Sequence, residues 1–193
     1  SVPEGQDTSI LDELGLNGEP YVLFAGRIVP EKGPHYLIDA WRRLGRPVKL
    51  VVAGDTSYSD EYVTHIRRSA DDGVIFPGFV FGERLAALFR NAALFVLPSD
   101  LEGYPIVLLE AMAYGTPPLA SDIPPNIEIL GPGGMFFRAG DVDSLAEQLA
   151  GCLARASELK EQALAARAAA VEQHDWDLVT ARTLAVYEEV LGR

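Results

Sequence analysis

Two segments of the sequence combine charged residues with glycine in a pattern that suits the binding of an anion. The first, residues 26–33 (GRIVPEKG), follows an apolar run and places Arg27 and Lys32 five residues apart. Pro34, directly after Gly33, suits the first turn of a helix. A phosphate there would meet two cations, free backbone N–H groups and the positive end of the helix dipole. Spacing alone leaves open a solvated loop in which both cations pair with Glu31 or another acid.

The second segment, residues 98–113 (PSDLEGYPIVLLEAMA), carries two acids, Glu102 and Glu110. We expect Pro105 to begin a helix that contains Glu110, and Glu102 to lie in the turn before it. Ionised carboxylates only accept hydrogen bonds, so they suit donors such as sugar hydroxyls. The alternative is structural: Glu102 caps the helix and Glu110 lies on the surface.

Short apolar runs precede both segments and predict the strands that position them. The predicted strands cover residues 21–26, 48–54, 74–78, 93–98, 118–121 and 134–137. These runs are nearly continuous in apolar residues, which is typical of parallel strands covered on both faces. Predicted helices lie between them, at residues 34–44, 59–69, 82–91 and 105–114. The pattern predicts an α/β fold, a Rossmann-like doubly wound parallel sheet with helices on both faces, in which ligands bind at the carboxyl ends of the strands.

The chain is expected to form a single domain over residues 1–193. We divide it into a lead-in at 1–18, alternating strands and helices at 19–140, and C-terminal helices at 141–193. The last part is predicted to contain helices at 141–155, 157–173 and 176–191, the middle one rich in alanine.

Composition narrows the classes of function. The formal charge is −12 and 48% of the residues are hydrophobic. An acidic chain repels nucleic-acid phosphates and anionic membrane surfaces, so neither is expected as a partner. The single cysteine, Cys152, excludes an internal disulfide and a thiolate zinc cluster. With no signal peptide visible, the simplest expectation is a cytoplasmic protein.

Taken together, the two segments resemble a known family: the retaining nucleotide-sugar glycosyltransferases of group 1, which have the GT-B fold of two Rossmann-like domains. The matching residues are Gly26-Arg27, Lys32-Gly33, Pro98-Ser99, Glu102-Gly103-Tyr104-Pro105 and Glu110-Ala111-Met112-Ala113, which include the E-x7-E signature. Residues 2–7 resemble the inter-domain segment of this family. The resemblance therefore implies that this chain is the C-terminal, donor-binding half, with the N-terminal acceptor domain absent.

The resemblance also implies roles for individual residues. Arg27 and Lys32, after Gly26, would contact the donor diphosphate and stabilise the departing nucleoside diphosphate. Glu102 would bind hydroxyls of the donor sugar, and Glu110 those of the ribose. The implied catalytic residues are thus Arg27, Lys32 and Glu102.

Backbone groups would complete this donor site. By resemblance, Phe79 and Val80 flank the base, while the amides of Gly103, Tyr104 and Ile106 contact sugar or phosphate. The family often has Gly-Phe-Gly-Leu at 103–106, and Pro105 removes one of those amide donors. No Asp-x-Asp motif precedes the pocket, so we expect no metal and no other cofactor.

Two other functions stay open from the sequence. One is a nucleotide-sugar epimerase or a glycan phosphorylase of the same architecture, although a lysine for pyridoxal phosphate is not evident. The other is a non-catalytic module that acts through protein contacts near Trp176 and Tyr187. Donor and acceptor identities are not encoded in these motifs, beyond a UDP-sugar or GDP-sugar of the hexose type.

Overall fold

The computed structural model describes residues 7–55, 60–173 and 176–192 of the chain. Most of the segment at residues 2–7, predicted to be an inter-domain linker, lies outside these residues. The strands are β1 (Tyr21–Ala25), β2 (Lys49–Ala53), β3 (Val74–Gly78), β4 (Leu94–Leu97), β5 (Pro118–Ser121) and β6 (Met135–Phe137). The helices are α1 (Ser9–Glu13), α2 (Pro34–Arg43), α3 (Asp60–Ser69), α4 (Gly82–Asn91), α5 (Ile106–Ala113), α6 (Pro124–Leu130), α7 (Val142–Ala154), α8 (Ala156–Gln173) and α9 (Trp176–Leu191).

The six strands form one parallel sheet in the order β3-β2-β1-β4-β5-β6. The chain winds outward in one direction from β1 to β3 and in the other from β4 to β6. This order confirms the predicted doubly wound, Rossmann-like α/β fold. It also creates a crevice between the loops that follow β1 and β4, because their helices leave toward opposite faces of the sheet.

Residues along β1 alternate between two hydrophobic cores. Val22 and Phe24 pack on one face of the sheet, and Tyr21 and Leu23 on the other, all fully buried. Burying one such side chain contributes about 1.5–3 kcal/mol. The double covering explains why the strand segments are apolar at consecutive positions.

The predicted C-terminal helices pack on the sheet layers. α7 lies against α2, and α8 against α5. The side chain of Asp141 accepts a hydrogen bond from the amide of Ser144 and so caps α7. Lys160 in α8 donates to the carbonyl of Arg90 at 2.9 Å, and burial lowers the pKa of Lys160 to about 8. α9 leaves Leu184, among other apolar side chains, exposed to solvent.

Two short helices, α1 and α6, were not expected from the sequence, and several of the predicted boundaries are shifted by one residue. α6 begins at Pro124, a residue that fits the first turn because its φ is already helical. α5 begins at Ile106, one residue later than predicted. Pro105 flanks the helix with φ −76° and ψ 82°, outside the helical region.

The loops after β1 and β4 touch through a glycine. Gly33 has φ +66°, and a Cβ placed on it would lie 2.1 Å from the carbonyl oxygen of Pro98. Only glycine combines this left-handed conformation with so close a backbone approach. The amide of Asp100 also donates to the carbonyl of Glu31 at 2.9 Å. Backbone contacts therefore hold the two predicted anion-binding segments side by side.

We predict that Gly33→Ala lowers the free energy of unfolding by more than about 2 kcal/mol, because it adds a steric clash to left-handed strain. The measurement is urea denaturation of the wild type and the variant. Gly18→Ala is the matched control, since Gly18 has φ +72° with no atom within 4 Å of the added Cβ. The control should lose only about 1–2 kcal/mol. Equal losses in both variants would contradict a packing role for Gly33.

Candidate functional site

A cavity of about 430 Å³ opens at the carboxyl end of the sheet, next to the loops that follow the paired strands β1 and β4. It is lined by all predicted site residues except one. They are Gly26, Arg27, Lys32, Phe79, Val80, Glu102, Tyr104, Ile106 and Glu110. The exception is Gly103, which lies in the exposed part of the β4 loop. Residues far apart in the sequence thus converge on one space large enough for a small-molecule ligand.

The strongest polar contact in the cavity joins the two loops. Lys32 Nζ donates to Glu102 Oε1 at 2.6 Å, and the two side chains are only 20% and 6% exposed. Ser99 Oγ donates to the same carboxylate oxygen at 2.7 Å. Glu102 therefore binds a cation and a hydroxyl. The capping role considered for it is not what the structure shows, because no side chain caps the start of α5.

Arg27 is held much more loosely than Lys32. Its guanidinium lies 3.9 Å from a carboxylate oxygen of Glu31, and both side chains are well exposed. An exposed ion pair at that distance contributes at most about 1 kcal/mol. Arg27 can therefore turn toward an anion in the cavity at little cost.

Glu110 lies at the inner wall of the cavity, on α5, and is half-buried. Burial raises the pKa of Glu110 above its ordinary value. The surface position considered for it is therefore wrong. A desolvated carboxylate of this kind gains from hydrogen-bond donors that a ligand brings.

The far side of the cavity is apolar and follows β3. Phe79 is 73% exposed, and its ring centroid lies 6.3 Å from that of Phe81. Val80 and Leu85 lie further into the wall. Aromatic and aliphatic surface next to a polar site provides a contact for a planar heterocycle.

One of the backbone donors expected at this site is already engaged. The amide of Ile106 donates to the carbonyl of Tyr104 at 2.9 Å, so it must change partners to reach a ligand. Gly103 has no neighbour within 4 Å of an added Cβ. Close packing is therefore not what requires a glycine at position 103.

Two features of the site were missed in the sequence. Gly54 lines the cavity with φ +144°, and an added Cβ would lie 1.8 Å from the carbonyl oxygen of Gly26. Its signal was present, because Gly54 ends an apolar run just as Gly26 does. Ser99 was noted in the sequence only as part of the matching motif, and its contact with Glu102 depends on the folding of the loop.

The described residues contain neither a metal-binding cluster nor a membrane-spanning helix. Within residues 7–55, 60–173 and 176–192, no group of three or more His, Cys, Asp or Glu side chains is arranged to hold a metal ion. None of the helices in that part of the chain is both long enough and apolar enough to cross a membrane.

Comparisons with known proteins agree on one family. Residues 7–170 match the family model described as "Glycosyl transferases group 1". The chain is 36% identical over 182 residues to phosphatidyl-myo-inositol mannosyltransferase of Mycobacterium leprae strain TN, an alignment that covers 88% of this chain and 46% of the relative. It is 31% identical over 202 residues to alpha-maltose-1-phosphate synthase of Mycolicibacterium smegmatis, covering 96% and 52%. The chain spans about half the length of the curated relatives it matches.

A solved structure shares the fold. The crystal structure of Anabaena Alr3699/HepE in complex with UDP and glucose superposes with a TM-score of 0.84 at 22% identity, covering 96% of this chain and 53% of that one. At this identity the likeness shows a common fold. It agrees with the sheet order described above.

The raised pKa of Glu110 leads to a prediction about stability. The folded state keeps the Glu110 proton to higher pH than the unfolded chain does, so this group lowers stability as pH rises above the ordinary Glu pKa, and the loss persists at pH 7. Glu110→Gln removes the buried charge and should raise Tm at pH 7. The difference from wild type should vanish in acid, where both side chains are neutral. Glu147→Gln, on the exposed side of α7, is the control and should show no such pattern. A lower Tm for Glu110→Gln at pH 7 would contradict the burial argument.

Proposed function

The chain belongs to the group 1 glycosyltransferases, and we propose that it is the half of a retaining enzyme that binds the nucleoside-diphosphate sugar. One observation carries this proposal. Two cations, Arg27 and Lys32, and two carboxylates, Glu102 and Glu110, line the same cavity at the carboxyl end of the sheet. A nucleoside-diphosphate sugar has matching parts: an anionic diphosphate with hydroxyl-bearing rings on both sides.

The two cations suit the diphosphate. When the bond between sugar and phosphate breaks, negative charge grows on the departing nucleoside diphosphate. Arg27 and Lys32, already placed at the cavity wall, would stabilise that charge without a metal ion. Lys32 is the more buried of the two, so its charge is less screened by water.

In this proposal Lys32 moves from Glu102 to the diphosphate. In the structure its ammonium is bound to Glu102. A diphosphate that draws Lys32 away leaves the carboxylate without its cation, and sugar hydroxyls then take the place of the lost donor. The diphosphate and the sugar are thus recognised together, because binding of the diphosphate to Lys32 frees the Glu102 carboxylate for the sugar hydroxyls.

The nucleoside would occupy the remaining wall. Glu110 would accept hydrogen bonds from the ribose hydroxyls, which offsets the cost of its burial. Phe79 and Val80 would flank the base. These contacts are shared by the nucleoside diphosphate and its sugar conjugate.

The relatives suggest which donors to test first. The Anabaena structure holds UDP and glucose, and one curated relative is named a mannosyltransferase. We therefore propose a hexose donor and take UDP-glucose and GDP-mannose as the first probes. The acceptor would be a glycan, a lipid or a small molecule bound by a second domain. Alone, this half should bind its donor weakly and turn it over poorly, because transfer requires two domains to close around the bond.

We predict that Arg27→Ala and Lys32→Ala each weaken binding of the nucleoside diphosphate roughly 10- to 100-fold, since each removes a charged hydrogen bond. The measurement is titration calorimetry with UDP and GDP. Lys49→Ala is the control, because Lys49 starts β2 at the opposite edge of the sheet and donates to the carbonyl of Gly15. The control should bind like wild type. If neither nucleotide binds wild type at millimolar concentration, the proposed function is wrong.

The exchange at Lys32 gives a second prediction. Glu102→Gln should lower the preference for the nucleotide sugar over the free nucleoside diphosphate about tenfold, because it removes a charged acceptor for sugar hydroxyls. Affinity for the free diphosphate should stay the same or rise, since Lys32 is no longer held by a carboxylate.

Glu110→Gln is the matched control for this experiment. It should weaken both ligands by the same factor, because ribose is common to both. A variant Glu102→Gln that weakens both ligands equally would contradict the assignment of Glu102 to the sugar.

A further inference from the structure

Completely buried polar side chains are few in this fold. Among the described residues they are Ser99, Thr116, Ser121 and Asn126. A buried hydroxyl or amide that lacks a partner costs about 1–3 kcal/mol. The hydrogen-bond partners of these four side chains therefore indicate the structural role of each.

Three of the four form one hydrogen-bonded chain that ends at the site. Asn126 Nδ2, in α6, donates to the carbonyl and to the Oγ of Ser121, at 2.9 and 3.0 Å. Ser121 Oγ, at the end of β5, donates to the carbonyl of Ser99 at 2.6 Å. Ser99 Oγ donates to Glu102 Oε1 at 2.7 Å. These hydrogen bonds therefore connect Asn126 to the carboxylate of Glu102.

The hydrogen bonds of Ser121 and Asn126 hold Ser99 on the side away from Glu102. Ser121 uses its only O–H on the backbone of Ser99, and its oxygen accepts from Asn126, so it has no freedom to rotate away. The hydroxyl of Ser99 is then directed forward at Glu102, three residues along the same loop. This geometry holds one carboxylate oxygen in place through groups that water does not reach.

The two donors on Glu102 differ in what a ligand does to them. Lys32 lies on another loop, and under the proposed function it moves to the diphosphate. Ser99 is fully buried and has no other role in the cavity. It is therefore the donor that can remain on Glu102 throughout binding.

We propose that Ser99, supported by Ser121 and Asn126, is a positioning residue that keeps the Glu102 carboxylate aimed at the donor sugar while Lys32 transfers to the diphosphate. This inference rests on the proposed function. It gives a role in sugar recognition to a series of hydrogen-bonded residues that begins at Asn126 in α6, outside the cavity. It also explains how Glu102 can keep its orientation after losing its cation.

The test is the ratio of two affinities, measured by calorimetry for the free nucleoside diphosphate and for its sugar conjugate, using UDP with UDP-glucose and GDP with GDP-mannose. Ser99→Ala should lower the preference for the sugar conjugate about tenfold and leave affinity for the free diphosphate within about twofold. Ser121→Ala should do the same more weakly, since it acts through Ser99. Ser99→Thr, which keeps the hydroxyl, should retain most of the preference.

Thr116→Val is the matched control. Thr116 is equally buried, and its hydroxyl donates to the carbonyl of Phe89 at 2.5 Å, apart from the chain to Glu102. Its loss should lower Tm without changing the affinity ratio. Ser99→Ala in a Glu102→Gln background should have no further effect on the ratio.

The outcomes separate the two proposals. If wild type prefers the sugar conjugate and Ser99→Ala keeps that preference, or loses affinity for both ligands alike, the positioning role is wrong and the proposed function stands. If wild type binds neither nucleotide, both proposals fail together. If it binds a nucleotide but shows no preference for the sugar conjugate, the positioning role fails alone. An additive loss in the double variant also overturns the positioning role.

Discussion

Contact between the loops after β1 and β4 is the constraint on which the site depends. Gly33 lets the backbone of the first loop reach the carbonyl of Pro98 in the second, and the amide of Asp100 completes the contact. This proximity lets Lys32 and Glu102, 70 residues apart in sequence, meet at 2.6 Å. The sheet order supplies the rest, because the helices after these strands diverge and leave a crevice between them.

The two carboxylates of the cavity differ in how their negative charge is compensated. Glu102 is almost fully buried, but a cation and a hydroxyl share its charge, so the structure tolerates it. Glu110 is desolvated, and burial raises its pKa, so it destabilises the fold at neutral pH. A residue that lowers stability and faces a cavity is a candidate for binding a ligand, because the ligand can donate the hydrogen bonds that the fold does not provide.

Most of the fold follows from the sequence for a simple reason. A strand covered on both faces needs apolar residues at every position, and such runs stand out between polar helices. The cations and acids of the site were also predictable, since they follow strands whose ends meet at one edge. Short elements such as α6 escaped because five to seven residues carry too little periodicity. The hydrogen bond from Ser121 to Ser99 spans 22 residues and depends on how two loops fold, which no local pattern encodes.

If the proposed function holds, the same geometry favours donor binding by this chain over sugar transfer. Lys32 and Glu102 lie deep enough for their charges to act strongly, whereas Arg27 and Phe79 remain largely in water. In water the attraction between a guanidinium and a phosphate falls to about 1 kcal/mol at 4 Å. Under the proposed function, stabilising a departing diphosphate would require that the part of the cavity around Arg27 and Phe79 be covered and shielded from water. A surface that closes over Arg27 would therefore raise catalysis more than ground-state affinity, since the charge it must balance is largest when the bond breaks.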